Sequence, residues 1–344
     1  MKKIRIGING FGRIGRAFFK VAIKREELEI VAVNDVCDIA NMAYLLKYDT
    51  VYGRAPFDIS VSKDGQNFVA DGKEIRFISE KEPFKLPWKD LGVDVVVEST
   101  GKIVTYAGSK LHLDAGAKKV VVTAPMKDEP DPMISGATVL MGVNEEKFST
   151  CKISSNASCT TNAASPLIAI LDEKFGIEKA ILNTVHAYTA SQSLVDGPSK
   201  KDSREGRAAG QNIVPSSTGA AIAVTKAFTK LENRFDGISL RVPVVAGSIV
   251  DVTFISKKET TAEEVNSALH AAAGEKRWQG IFSVTEDDLV SSDIIGSSFA
   301  SIADLQFTRV VGGNLVKVLA WYDNEMGYAN TLVAHVLKAG EQLK

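Results

Sequence analysis

Hydrophobic and polar positions follow two different rhythms along this chain. Over the first 35 residues, "KIRIGIN" alternates with β-branched residues, "GFGRIG" turns the chain, "RAFFKVAIKR" repeats at helical spacing, and "LEIVAVND" is a continuous apolar run ending on acids. That succession predicts strand, turn, helix and strand, a βαβ unit with a buried parallel sheet. Further buried strands are predicted at "VDVVVEST" (93–100), "KKVVVTAP" (118–125) and "TVLMGVN" (138–144), and the helix "TYAGSKLHLDAGA" is expected to stop at Gly116. After "SNASCTTN" the rhythm changes. "KAILNTVHAYT", "GISLRVPVV", "GSIVDVTFISKK", "LQFTRVVGG" and "LVKVLAWYD" alternate without a helix between each pair, which predicts a largely antiparallel sheet. "TAEEVNSALHAAAGE" and "NTLVAHVLKAGEQLK" read as amphipathic helices. The polar stretch from Ala190 to Gly210 is long for a structureless loop, so it is expected to be functional or to pack outside its own chain.

Composition narrows the class. With 45% hydrophobic and 24% charged residues the chain has the balance of a soluble globular protein, and a net charge of −1 favours neither nucleic acid nor a membrane surface. At about 150 residues per domain, 344 residues predict two domains. No 18 apolar residues follow one another, and the apolar N-terminal run breaks at Asn9 and at three glycines before a secretory core forms. Cys37, Cys151 and Cys159 have no short repeated spacing, which points away from a disulfide framework or metal site and toward a reducing, cytoplasmic setting. Cys37 and Cys151 are expected to be buried as small hydrophobes.

Gly10, Gly12 and Gly15 form a G-x-G-x-x-G that follows a strand, opens a helix and has Asp35 placed 20 residues beyond Gly15. In that context glycines admit a pyrophosphate, the helix N-terminus supplies N–H groups, and the carboxylate accepts from ribose hydroxyls. Asp35 repels a 2′-phosphate, so NAD is expected rather than NADP. The fold class expected is therefore an α/β Rossmann dinucleotide-binding domain at 1–158, completed by a C-terminal helix at 323–344, plus an α+β catalytic domain with a largely antiparallel sheet at 159–322.

Cys159 follows Ser158, a good N-cap, at the start of an apolar helical run, where the dipole favours thiolate. Pro166 is expected to kink that helix or to lie near its first turn. Of four histidines, His112, His270 and His335 lie in helical segments, whereas His186 ends a β-branched strand at the mouth of the polar loop. An ion pair of Cys159 with His186 would give a thiolate at neutral pH. Arg241 interrupts an apolar strand and calls for an anion, and with Thr160, Thr189, Thr218 and Gly219 it could bind one or two phosphates. Together these residues suggest nicotinamide-dependent oxidation of an aldehyde through a thiohemiacetal and thioester.

The motifs "INGFGRIGR", "VVVESTG", "SNASCTTN", "HAYTASQ", "DGPSKKD", "PSSTGAA", "SLRVP" and "WYDNEMGY" lie in one order over essentially the whole chain. In that order and spacing they resemble the phosphorylating glyceraldehyde-3-phosphate dehydrogenase family. The resemblance implies that Cys159 is the nucleophile, that its N–H helps hold the oxyanion, and that His186 is acid and base. It further implies the glycolytic reaction, in which hydride goes to NAD and inorganic phosphate releases 1,3-bisphosphoglycerate. It places Arg13, Ile14, Asp35 and Asn324 on NAD, Thr189 and Arg241 on the phosphate of glyceraldehyde 3-phosphate, and Ser158, Thr160, Thr218 and Gly219 about the attacking phosphate. A homotetramer is implied, with the loop at about 190–214 beside a neighbour's cofactor, and Pro198 matches NAD-using members. Departures include Ala163 where a second cysteine is frequent, Lys81 for an arginine near the adenine, Thr123 for a serine, Ser203 for a tryptophan and Met326 for a tryptophan. The related erythrose-4-phosphate dehydrogenases share the Cys and His but differ at "HAYT" and "PSSTGAA", and a purely binding role is opposed by the intact Cys159, His186 and Arg241.

Overall fold

The computed structural model describes residues 2–130, 133–199 and 202–343; Lys200 and Lys201 of the polar loop and the terminal Lys344 lie outside them. The chain separates into two compact units, one made of Met1–Val139, Asn144–Ala157 and Leu332–Lys344, the other of Leu140–Val143 and Ser158–Thr331. Among the described residues no helix is long and apolar enough to cross a membrane.

The first unit runs β1 (Ile4–Asn9), α1 (Arg13–Ala22), β2 (Leu28–Asn34), α2 (Ile39–Lys47), the short ladder β3 (Tyr48–Asp49) and β4 (Gly53–Arg54), then β5 (Ile59–Val61), β6 (Asn67–Ala70), β7 (Lys73–Ile78), β8 (Val95–Glu98), α3 (Tyr106–Asp114), β9 (Lys119–Val122), β10 (Gly136–Thr138) and β11 (Ile153–Ser155). Its main sheet has the order β10-β11-β9-β8-β1-β2-β7-β6-β5. Pairing is parallel from β10 to β7, and β6 and β5 extend that edge as antiparallel strands. β8 and β9 are buried at every position, as strands covered on both faces are.

One expectation fails here. "TVLMGVN" does not form a strand over 138–144, because pairing ends at Thr138. Val139, Leu140 and Met141 are buried in a turn instead, where the Val143 N–H donates to the Leu140 carbonyl and Gly142 takes φ +74°. A short apolar run is buried either way, so periodicity alone cannot separate a strand from a turn. The strand beside β9 is β11, whose three residues "ISS" are too few and too polar to announce themselves.

The second unit runs α4 (Cys159–Phe175), β12 (Ile177–Ala187), β13 (Val214–Ser217), α5 (Ala220–Ala227), β14 (Phe235–Val242), β15 (Ser248–Ser256), α6 (Ala262–Ala273), β16 (Phe282–Thr285), β17 (Ser301–Val311) and β18 (Leu315–Tyr322), and leads into α7 (Met326–Glu341). Its sheet has the order β13-β14-β12-β15-β18-β17-β16. The sheet is largely antiparallel, with β12 parallel to β14 and β16 parallel to β17. α4 is buried along nearly its whole length and packs on β12, β15, β17 and β18. It runs on through Pro166, its eighth residue, which lies beyond the first turn. Because β15 is antiparallel to both β12 and β18, while β14 is parallel to β12, the strands β12, β14 and β18 share one direction. Their C-terminal ends carry His186, Arg241 and Tyr322.

Candidate active site

Ser158 caps α4. Its Oγ accepts the Thr161 N–H at 3.1 Å, and its carbonyl accepts from Asn162. The cap leaves the N–H groups of Cys159 and Thr160 facing the Cys159 sulfur. His186 lies across from it on β12, with Nε2 3.3 Å from Cys159 Sγ. Arg241 is the register partner of His186 on β14 and brings Nη1 to 2.5 Å from His186 Nδ1 and 3.3 Å from the Ala187 carbonyl. His186 Nδ1 is also 2.6 Å from that carbonyl. The carbonyl only accepts and the guanidinium only donates, so Nδ1 serves one of them at a time; in the tautomer where Nδ1 donates to the carbonyl, Arg241 donates to that carbonyl as well and Nε2 keeps a lone pair for the thiol proton.

Burial pushes the Cys159 thiol up, opposed by Arg241 and by the hydroxyl and N–H of Thr160. Burial and the Arg241 charge hold His186 down at about 3. The expected ion pair therefore has its geometry, while burial of both groups, and the Arg241 charge at the imidazole, oppose their charged forms. The cation that Arg241 places against Nδ1 disfavours imidazolium more than strand position alone suggested.

The expected anion-binding residues differ in their surroundings. Arg241 is half-buried, and its Nε is buried without a partner among the described residues, which suits an anion. Thr189 closes a small turn, its N–H donating to Gln192 Oε1 at 3.2 Å and its Oγ1 lying 3.1 Å from Ser191 Oγ. Thr218 accepts the Ala220 N–H at 3.1 Å, and Gly219 is the exposed N-cap of α5. Thr160 departs from expectation: it is 4% exposed, and its Oγ1 is turned inward, 2.9 Å from Tyr322 Oη. The Ser158 hydroxyl is spent on its cap. Asn324 is buried in the same unit, with Oδ1 accepting from the Gly247 N–H and Ser248 Oγ, each at 3.1 Å.

In the first unit a crevice of about 600 Å³ is lined by Gly10, Gly12, Asp35 and Lys81 together with Asn9, Asn34 and Thr100. Gly10 sits at φ +92°, where a Cβ would be 2.6 Å from Thr100 N, and a Cβ on Gly15 would be 2.2 Å from the Gly10 carbonyl. Backbone thus approaches backbone where only glycine fits, and the first turn of α1 opens its N–H groups. Asp35 accepts the Phe11 N–H at 2.7 Å on one oxygen and the Cys37 N–H at 3.0 Å on the other, which leaves each oxygen a lone pair for a hydroxyl. These residues fit NAD. Arg13, Ile14, Gly15 and Thr123 are not among the lining residues. The Arg13 guanidinium pairs with Asp49 at 3.0 Å and faces the Tyr52 ring, and the Thr123 N–H donates to the Glu98 carbonyl. Cys37 is exposed and lines the crevice, contrary to the expectation that it is core; Cys151 is buried as expected.

A buried network supports this wall. Trp88 Nε1 donates to His112 Nδ1 at 3.1 Å, so His112 Nε2 donates to Glu98 at 3.0 Å. Glu98 also accepts from Asn9 Nδ2 at 2.6 Å and from the Thr100 N–H at 2.9 Å, both of crevice-lining residues.

Comparison with known proteins bears on both units. The profile described as "Glyceraldehyde 3-phosphate dehydrogenase, NAD binding domain" matches residues 4–106, and that described as "Glyceraldehyde 3-phosphate dehydrogenase, C-terminal domain" matches 158–324. A glyceraldehyde-3-phosphate dehydrogenase of Streptomyces coelicolor is 46% identical over 343 residues, 99% of each chain. One of Mycobacterium avium is 47% identical, again over 99% of each, and glyceraldehyde-3-phosphate dehydrogenase A of Escherichia coli is 46% identical over 97% of this chain and 99% of its own. With identity at this level over nearly its full length, the chain belongs to the glyceraldehyde-3-phosphate dehydrogenase family.

Proposed function

We propose that this chain catalyses the NAD-dependent, phosphorylating oxidation of D-glyceraldehyde 3-phosphate to 1,3-bisphosphoglycerate. The observation that carries the reading is the Cys159 thiol at the N-terminus of α4, 3.3 Å from Nε2 of His186. Arg241 and Thr189 hold the triose phosphate; once an anion takes the guanidinium, its charge no longer holds the imidazole down. The thiol proton then passes to His186 Nε2, the sulfur bonds to the aldehyde carbon, and the oxyanion rests on the N–H of Cys159. His186 delivers that proton to the oxygen and takes it back as the thioester forms. NAD supplies the acceptor for the hydride that leaves the carbon. Gly10, Gly12, Asp35 and Lys81 hold it in the crevice, with the first turn of α1 at Arg13 and Ile14 on its pyrophosphate. Inorganic phosphate, bound by Thr218 and Gly219, attacks the thioester; the C–S bond breaks and the thiol is regenerated.

A homotetramer working in the cytoplasm belongs to the same reading. Support comes from the sheet of the second unit, where Leu182, Thr184 and His186 of β12 are buried on one face while Ile181 is 56% exposed on the other, with Ile238 beside Asn183 at 52%. Leu194 and Val195 of the polar loop are still more exposed. The test is NADH formation with the triose, with and without inorganic phosphate, and with erythrose 4-phosphate as competitor. Phosphate-dependent turnover of the triose is expected; preference for the tetrose assigns the related activity, and no turnover with either overturns the reading.

A further inference from the structure

Three hydroxyls lie behind the Cys159–His186 pair and take no part in the reaction as derived above. Tyr322, at the end of β18, is 1% exposed. Its Oη is 2.9 Å from Thr160 Oγ1 and 2.8 Å from Thr184 Oγ1. Its ring meets the His186 imidazole edge-on, with centroids 5.9 Å apart and planes at 71°. Thr160 follows the nucleophile on α4, and Thr184 precedes the base by two residues on the same buried face of β12. One side chain thus touches the nucleophile's helix, the base's strand and the base itself.

Proton counting shows what such a chain can do. Each hydroxyl has one proton to give, and Thr184 Oγ1 also lies 3.3 Å from the Ile249 carbonyl, which only accepts. Thr160 directly follows Cys159 on α4, and its hydroxyl is among the groups that lower the thiol. Two orders satisfy every group. In one, Thr160 donates to Tyr322, Tyr322 to Thr184, and Thr184 to the carbonyl. In the other each hydroxyl has turned about its C–O bond, so that Thr184 donates to Tyr322, Tyr322 to Thr160, and Thr160 to the sulfur. A neutral thiol needs nothing from the chain, whereas a thiolate is a strong acceptor and favours the second order. No proton changes owner.

We propose that Tyr322 is a positioning residue for the nucleophile: its hydroxyl joins Thr184 to Thr160 in a chain that sets the Cys159–His186 spacing and turns an O–H toward the sulfur when thiolate forms. The inference rests on the reading of Cys159 as nucleophile, but its first measurement needs no turnover. Besides this chain, the titratable and charged side chains acting on the sulfur are His186 and Arg241, and both are kept in the variants below.

In Tyr322→Phe the ring against His186 stays and Oη goes. Alkylation of Cys159 by iodoacetamide is followed across the pH range in which the thiol titrates, together with steady-state kinetics and the melting temperature. The alkylation midpoint is expected to rise by about one pH unit and kcat to fall about tenfold with little change in KM, the scale of one hydrogen bond to a charged group. An unchanged midpoint overturns the proposal, whatever happens to kcat, since a residue that merely packs would leave it in place. Should Tyr322→Phe fail to fold, Thr184→Val and Thr184→Ser decide: the Val variant cuts the far end and should shift the midpoint upward, the Ser variant should restore it, and equal midpoints overturn the proposal. A wild-type protein that turns over no triose, yet whose midpoint shifts in Tyr322→Phe, would defeat the proposed reaction and leave this inference standing.

Discussion

Two side chains 3.3 Å apart carry the chemistry, and each makes a separate prediction. Cys159→Ser should lower turnover at least about 10³-fold, because an alcohol beside this imidazole is a far poorer nucleophile than a thiol. His186→Asn should lower kcat by about 10² to 10⁴, the range of general acid–base assistance, while leaving NAD binding unchanged. The His186 imidazole itself can be titrated by nitrogen NMR in a Cys159→Ser background. It is held at about 3 by burial and by Arg241, so it should stay neutral through the ordinary imidazole range, and Arg241→Gln should move its titration upward. A His186 that titrates near its ordinary value with Arg241 intact would mean that the guanidinium does not rest against Nδ1.

Elements place these groups through their ends. The N-cap of α4 aligns the N–H groups at the sulfur, and Ser158→Ala removes the acceptor for Thr161, at a cost of about 1 kcal/mol in stability. Its larger effect should be on reactivity, read as slower alkylation of Cys159, because a frayed first turn no longer aims N–H groups at the sulfur. At the other helix start, Gly15→Ala puts a methyl 2.2 Å from the Gly10 carbonyl, so α1 must withdraw from the turn. Weaker NAD binding by calorimetry is expected, with the thiol alkylation profile of the second unit unchanged. The helix start and the glycine turn were legible in sequence because cap chemistry and left-handed backbone are local. The hydroxyls of Thr160 and Tyr322 were not, because their partners are 162 residues apart. Thr160 looked like a surface anion ligand for the same reason.

Over the whole molecule, buried neutral imidazoles contribute to the response to acid. His335 is fully buried and held at about 3 by burial and by nearby Lys119. It lies 2.7 Å from Ser154 Oγ and 3.2 Å from Asn156 Oδ1, which fits a neutral ring donating from Nδ1 and accepting at Nε2. An unfolded imidazole takes up a proton below its ordinary 6.5, whereas the folded one does so only below about 3. Between those values the unfolded chain binds more protons, so this contribution to stability is complete above 6.5 and is lost as pH falls toward 3. The melting temperature should drop steeply over that interval, and His335→Gln should flatten the slope; an equal slope in the variant would show that other groups dominate. At the same scale, light scattering tests whether the exposed sheet face around Ile181 and Ile238 is covered by other copies of the chain, with a tetramer expected.

The sequence by itself determined what depends on neighbours along the chain. The βαβ start, the glycine turn with Asp35, the capped Cys159 helix and the alternating strands of the second sheet all follow from spacing, backbone freedom and period. Tertiary structure alone decided the rest. It placed Arg241 against His186 through strand register, where its charge opposes an imidazolium. It buried the run after Thr138 in a turn rather than a strand, exposed Cys37 in the crevice instead of the core, and gave Tyr322 its place between nucleophile and base. The physical reason is the same in each case: burial, charge and hydrogen bonding act between groups distant in sequence, and a one-dimensional pattern carries the period of an element but not the identity of what packs against it.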